Sequence, residues 1–320
     1  MIDKIRFSKK NLSDSEIKKI VDRNHLATHD VDGLKHWHND RTKNFNGGLS
    51  IKIDKTKTLL IEGSLHKYST FLTLKKLDNF DVFTMIQAKE TYLKMIKNVG
   101  FEPINTTVRE YEIGINIITD IEPKVLLKNI YSIGDLTTEK KFYIDPKYKK
   151  ESQITTETHK DYKVHHRSYD KIHEMLDAKK DVPNLKIIRI ETVQKRVEKT
   201  FLIDFFTDAN LKRLQNTFFD KWNKLNFLVE ITAPPKTGTA KIELAKKLCK
   251  KSKSDLLNEI LIEYKNNTKT IKSYYTDKRF IENWENEKIH FVPTKSKVLL
   301  TWEKMYNNEK QIHTLNKNLK

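Results

Sequence analysis

The sequence predicts an α+β protein: a central antiparallel sheet with helices on one face and a reactive surface on the other, followed by a smaller helical C-terminal region. Three observations predict it. Two-residue alternation recurs at 49–62, 108–117 and 163–171 and again at 187–191, which is strand periodicity. Apolar residues three or four apart recur at 12–23, 79–99 and 211–225, which is helix periodicity. Beyond Pro234-Pro235 the legible segments are all helical. The expected domains are residues 1–232, carrying the chemistry, and 237–320, a basic helical region.

The elements follow in order. Ser13 and Glu16 form a capping box ahead of Ile17, Ile20 and Val21, so 12–23 is a first helix. His25 to Gly48 is polar and irregular and reads as a loop. Leu49, Ile51 and Ile53, a turn at 54–57, and Thr58 to Ile61 make a hairpin, which 61–68 continues. Residues 79–99 form a helix with Phe80, Phe83, Ile86, Leu93 and Ile96 on its apolar face and Gly100 as C-cap. In 108–117 the odd positions from Tyr111 are apolar and the even ones are Glu110, Glu112, Gly114 and Asn116. That is a half-buried strand whose glycine leaves room for something to approach. The region 120–160 is loop-rich. Residues 163–171 and 187–191 are strands joined by a short polar helix, with His165, Arg167, Tyr169 and Lys171 on one face and Arg189 and Glu191 on one face. Leu211, Leu214, Phe218, Trp222 and Leu225 form a core-facing helical stripe. After the prolines, a helix with Ile242, Leu244 and Leu248 and another with Leu256 to Tyr264 flank Lys246, Lys247, Lys250, Lys251 and Lys253. This is the shape of a helix-turn-helix arm, or of an ordinary helical hairpin with a solvated basic face.

A chain of 320 residues carrying a net charge of +18 makes a polyanion the first partner to consider, because lysines that neutralise phosphates release condensed counterions. A lysine-rich composition from an AT-rich genome would produce the same excess. The single cysteine, Cys249, excludes an internal disulfide framework and a cysteine zinc site, and fits a reducing compartment. No apolar run reaches membrane-spanning length and the N-terminal segment lacks a signal-peptide core, so the expectation is a cytoplasmic protein with no membrane partner.

The residues that point to chemistry are two carboxylates, Glu112 and Glu191, on strand faces that converge if the strands are neighbours, with Tyr169 and Lys171 beside them. Carboxylates of this kind bind Mg²⁺ or Mn²⁺ and leave coordination positions for a substrate phosphate. A tyrosine next to such an ion is a nucleophile toward phosphorus, and a lysine or arginine stabilises the charge that builds there. His165 shares the face of Tyr169 and is a candidate ligand or proton carrier. His36-Trp37-His38 has the spacing of a two-histidine metal grip, but lies in the irregular segment.

Tyr169-Asp170-Lys171 with Glu174, followed by Arg189-Ile190-Glu191, resembles the Tyr-Asp-Lys…Glu and Arg-x-Glu pattern of rolling-circle replication initiators, in particular the phage gene II and plasmid Rep-trans type and their relatives in Bacteroidetes phages and mobile elements. Gly63 to Tyr68 and Tyr111 to Ile117 are similar to further segments of those relatives, and the resemblance spans roughly 45–230. It implies a Rep-type nicking core that cuts and rejoins one DNA strand at an origin. Tyr169 would be the nucleophile, linked to the 5′ end and leaving a 3′-OH, with Lys171, Arg189 and His165 in support and Glu112 and Glu191 holding the metal. Arg167 and the lysines at 246, 247, 250, 251 and 253 would contact single-stranded or origin DNA. A host helicase is the candidate partner for strand separation, since the chain has no Walker loop. Tyr143, Tyr148 and Tyr162 are alternative nucleophiles, and Tyr275 with Lys278 repeats the tyrosine-lysine spacing by chance. Two other functions stay open: a non-enzymatic DNA-binding initiator or regulator, and a single-strand or RNA binder that stacks bases on sheet aromatics.

Overall fold

The computed structural model describes residues 1–31, 33–39, 45–135, 137–144, 152–156, 163–228, 230–249, 251–294 and 297–315. The chain forms two compact units, Met1–Asn226 with Lys304–Lys320, and Phe227–Glu303. The division therefore falls a few residues before the Pro234-Pro235 boundary read from the sequence, and the last helix is shared between the units. Periodicity marks an apolar stripe but not the core it joins. For the last helix that core includes Phe219, whose carbonyl accepts from Tyr306 Oη at 3.0 Å, and Gln215, which donates to the His313 carbonyl at 2.8 Å.

The first unit opens with strand β1 (Ile2–Lys9), helix α1 (Asp14–Asn24), β2 (Ala27–Val31), β3 (Leu34–His38), β4 (Ser50–Ile53) and β5 (Leu59–Ser64). Helices α2 (Leu65–Leu74) and α3 (Met85–Val99) follow, then β6 (Thr106–Ile118), α4 (Pro123–Asn129), β7 (Ile130–Ile133), β8 (Lys140–Lys141), β9 (Tyr143–Ile144) and β10 (Gln153–Thr155). The unit continues with β11 (Val164–Asp170), α5 (Lys171–Asp177), β12 (Ile187–Phe201), α6 (Leu202–Phe205) and α7 (Asp208–Trp222). Ten strands make one antiparallel sheet in the order β2-β3-β4-β5-β1-β6-β12-β11-β10-β9. The long β6 and β12 occupy its middle. A three-stranded sheet adds β13 (Leu225–Phe227) to β7 and β8.

The predicted α+β architecture is what the chain adopts. Ile5, Phe7, Ile51, Ile61, Ile113, Ile115, Ile117, Ile188 and Ile190 are buried, and they alternate with polar residues on the opposite face. Helices cover the apolar face: Tyr111 packs on Phe205 of α6, and Thr192 accepts from the indole of Trp222 of α7 at 3.1 Å. Four local readings change. Ala27–Val31 and Leu34–His38 pair as a hairpin, β2 and β3, with Gly33 at φ +73 between them, because Thr28, Val31 and Trp37 supply β-formers within a polar composition. Residues 65–74 are helical, since the Ser64 side chain caps Lys67 N–H at 3.0 Å. Helix α3 starts at Met85 behind the N-cap Thr84, which forms a capping box with Gln87, and it buries Met85, Ala88, Tyr92 and Met95 while Ile86 and Leu93 face water. Lys171 opens α5 rather than closing β11, because Asp170 accepts from His173 N–H and caps the helix.

The second unit contains β14 (Glu230–Thr232), α8 (Thr239–Leu248), α9 (Lys253–Lys265), α10 (Ile271–Glu282), α11 (Trp284–Glu287) and β15 (Val292–Thr294), and α12 (Lys297–Leu315) ends the described chain. Its core is Leu244, Ala245, Leu256, Ile260, Phe280 and Ile281 with neighbouring aromatics. No helix among the described residues is long and apolar enough to cross a membrane.

Candidate functional site

The register of three adjacent strands assembles the site. On β6, β12 and β11, Gly114 pairs Glu191 and Glu191 pairs Arg167, while Asn116 pairs Arg189 and Arg189 pairs Tyr169. Residues directly opposite share a face, so the polar positions of three separated sequence segments form one patch. β1 completes it: the Gly114 N–H donates to the Met1 carbonyl at 2.8 Å, and Asp3 lies beside Arg189.

Glu191, 1% exposed, is the hub. Its Oε1 accepts from Tyr169 Oη at 3.0 Å and from Arg189 Nε, and its Oε2 accepts from Arg167 Nε. Arg167 Nη2 reaches on to Glu112 Oε2 at 2.9 Å. Arg189 also donates to Asp3 Oδ2, and to Asn116 Oδ1 at 2.8 Å. Asp3 is held in turn by Ser64 Oγ and by Asn79 Nδ2 at 3.1 Å. The segment before α3 closes over this end, with Asn116 Nδ2 donating to the carbonyls of Asn79 and Phe80.

Gly114 makes the cluster possible. A Cβ there would meet Glu191 Cγ at 2.7 Å and the Ile190 carbonyl at 2.9 Å. The group that approaches the glycine is therefore the hub carboxylate itself.

Burial and charge set the proton affinities. Burial raises the Tyr169 phenol well above its usual value and the Glu191 charge adds to that, so the phenol is firmly protonated. Glu191 is also penalised by burial, but Arg167 and Arg189 outweigh it and hold the carboxylate below its usual range. Glu112 moves upward: burial and the Glu191 charge exceed the pull of Arg167. Arg189 holds Asp3 ionised against its burial. Three carboxylates, Asp3, Glu112 and Glu191, thus face two guanidinium groups, and Glu112, pushed up to about 7 with Lys4 as a further cation acting on it, is the carboxyl among them that most readily takes a proton. Lys171, 1% exposed, donates to Glu174 at 2.7 Å, and its pKa is lowered by burial and by Arg189. Its ammonium and the Arg167 guanidinium lie over the Tyr169 ring, 5.9 and 6.0 Å from the centroid.

Tyr169, Lys171, Arg189, Arg167, Glu112 and Glu191 are therefore brought together. His165 lies on the same face, opposite Val193, and burial with Lys195 and Arg167 nearby lowers its pKa to about 4, so it is neutral at pH 7. His36 and His38 sit on β3, six strands from β11 in the sheet order, on the order of 29 Å at about 4.8 Å per strand. They serve no common centre with Tyr169; His38 stacks on His29 with centroids 4.1 Å apart. Tyr143 is exposed on β9, Tyr148 and Tyr162 lie outside the described residues, and Tyr275 and Lys278 are on α10 of the second unit. Of the arm lysines, Lys246 pairs with Glu243, Lys247 and Lys251 share Glu259, and Lys253 pairs with Glu285, while Lys250 lies outside the described residues. Asp3 is the site member that sequence reasoning missed.

No protein-family model matches this chain, and no curated protein matches it in sequence. Among the described residues no three His, Cys, Asp or Glu side chains are grouped to hold a metal ion. The donor chemistry nevertheless fits one divalent cation: two carboxylates converge on a single positive centre, the Arg167 guanidinium.

Proposed function

We propose that the protein is a replication initiator that nicks and rejoins one DNA strand through a tyrosine-phosphodiester intermediate. The observation that carries this reading is the convergence of Tyr169, two carboxylates and two arginines on the polar face of β6, β11 and β12. In the nicking step the Tyr169 oxygen forms a bond to phosphorus, the bond from phosphorus to the 3′-oxygen breaks, and the phenol proton passes to Glu191. The departing 3′-oxygen takes a proton from Lys171, whose burial makes its ammonium a better acid than an exposed lysine. At ordinary values, proton transfer from a phenol to a carboxylate is uphill by about 8 kcal/mol, from a gap of nearly six pKa units at about 1.4 kcal/mol each. Arg167 relieves part of this. Its side chain is 28% exposed, against 2% for Arg189, so it is the guanidinium that turns toward an arriving phosphate. Its departure leaves Glu191 a better base in the metal-free site, whereas with a cation in its place the phenol, not the carboxylate, would be the group whose proton affinity is eased. Mg²⁺ or Mn²⁺ would be held by Glu112 and Glu191 where that guanidinium lies, and when bound would polarise the phosphoryl oxygens.

A second reading is supported by a different observation. Tyr169 is 8% exposed and its hydroxyl is engaged, as a tyrosine would be in a purely structural ion-pair network that pins β6, β11 and β12 together. The protein would then be a DNA-binding initiator or regulator without cutting activity. Incubation with 3′-labelled single-stranded DNA and Mn²⁺, followed by denaturing electrophoresis, separates the two. A covalent adduct lost in Tyr169→Phe supports nicking, whereas salt-sensitive binding with no adduct supports the second reading.

A further inference from the structure

We infer that a basic groove on the site face, beginning two residues along β6 from Glu112, binds the sugar-phosphate backbone of a single DNA strand passing Tyr169. The inference builds on the nicking reading. The groove has a volume of about 580 Å³ and is lined by Arg6, Ser8, Arg109, Glu110, Lys195 and Arg196, among others. The same register that builds the site places it: Val193 pairs Glu112, Lys195 pairs Glu110, and Glu110 pairs Arg6. Two residues of strand are about 7 Å, so the groove continues the polar face rather than forming a separate surface.

One of its cations is held in place. Arg109 Nε donates to Ser8 Oγ at 2.8 Å, which fixes the guanidinium. Arg6 Nε is buried without a hydrogen-bond acceptor among the described residues, with Glu62 3.8 Å away. Arg196 has φ +52 where β12 loses register between Lys195 and Thr200, a bulge that redirects a side chain relative to a regular strand. Four cations face one lining carboxylate, Glu110, with Glu62 nearby. The site itself carries three carboxylates, Asp3, Glu112 and Glu191, so a strand gains from positive anchorage beside it, and this groove supplies it. Fixed guanidinium groups on an open sheet face bind phosphodiesters without reading bases.

The test uses the full chain and a fluorescent oligo(dT) 30-mer titrated by anisotropy between 50 and 200 mM KCl. The Arg109→Ala, Arg196→Gly pair is chosen because both residues are exposed and glycine suits the positive φ. The pair weakens binding and reduces the slope of log K against log[salt] by about 1.4, at about 0.7 per lost phosphate contact. Glu110→Gln tightens binding, a gain that unfolding cannot mimic. Unchanged slope and affinity in the pair, with an unchanged melting temperature, together with no gain in Glu110→Gln, overturns the groove. The same preparations are incubated with Mn²⁺ and a 3′-labelled random 40-mer pool. A slope change in the variant pair, with no adduct formed by the wild-type protein, supports the groove and overturns the nicking reading instead.

Discussion

Glu191 accepts from Tyr169, Arg189 and Arg167 at once, so Glu191→Gln leaves two guanidinium groups buried without their shared counter-charge. Breaking a buried network by removing one partner costs about 3–5 kcal/mol. Urea denaturation should show a loss of that size, and a loss below about 1 kcal/mol would mean that the network is solvated in solution. Gly114→Ala drives a methyl group into Glu191 Cγ and the Ile190 carbonyl, and overpacking of this kind costs about 1–3 kcal/mol. A variant as stable as the parent would contradict that packing. The buried histidines set the pH dependence. His166, whose ring accepts or donates at Thr192 Oγ1 2.9 Å away and packs edge-on against Trp222, has its pKa lowered to about 3 by burial and by nearby Lys221 and Lys140. The unfolded chain therefore binds more protons than the folded one between about pH 6.5 and 3. Stability from His166 is fully present above pH 6.5 and declines as pH falls, by up to about 1.4 kcal/mol per unit. Glu112 acts with the opposite sign: its raised pKa contributes stability at low pH that is lost as pH rises through the folded value. Melting temperatures across pH 7 to 4 should fall in the parent and fall less steeply in His166→Gln; parallel curves would remove His166 from the explanation.

Helix α5 holds Lys171 at the site only because Asp170 caps it, so Asp170→Ala should cost about 1 kcal/mol and reduce adduct yield more than it reduces DNA affinity. Equal losses in both would indicate general unfolding instead. The strands that carry the site were legible because β6, β11 and β12 alternate cleanly, and their polar positions named five members of the cluster, Glu112, Arg167, Tyr169, Arg189 and Glu191, with Lys171 read as a sixth although it opens α5. β1 was not legible as a site strand. Its register shifts between Ile2 and Ile5 and again between Arg6 and Phe7, which breaks the two-residue period and hides Asp3 behind what reads as an ordinary N-terminal segment. The β2–β3 hairpin was lost for a compositional reason, since histidine, aspartate and asparagine mask its β-formers. In α3 the stripe was read with Ile86 and Leu93 inside, whereas the helix turns the smaller Ala88 and Thr91 inward to meet its neighbours. Hydrophobic identity alone does not fix that phase.

The net charge of +18 is distributed unevenly in its use. In the second unit the arm lysines Lys246, Lys247, Lys251 and Lys253 are paired with Glu243, Glu259 and Glu285, which leaves less unmatched charge for a ligand than their number suggests. In the first unit Arg6, Arg109, Lys195 and Arg196 line one groove that continues from the acids and the phenol. Composition could signal a polyanion partner but not which surface meets it, because ion pairing is decided by the fold. Binding of single-stranded DNA should therefore respond more to the Arg109→Ala, Arg196→Gly pair than to Lys246→Ala with Lys247→Ala, measured at the same salt concentration. The most direct measurement is the covalent adduct between the intact protein and 3′-labelled single-stranded DNA in Mn²⁺. A labelled protein band that survives denaturing electrophoresis in the parent and vanishes in Tyr169→Phe is the predicted result. A band that persists in Tyr169→Phe, or no band from a parent that binds the DNA, would contradict it.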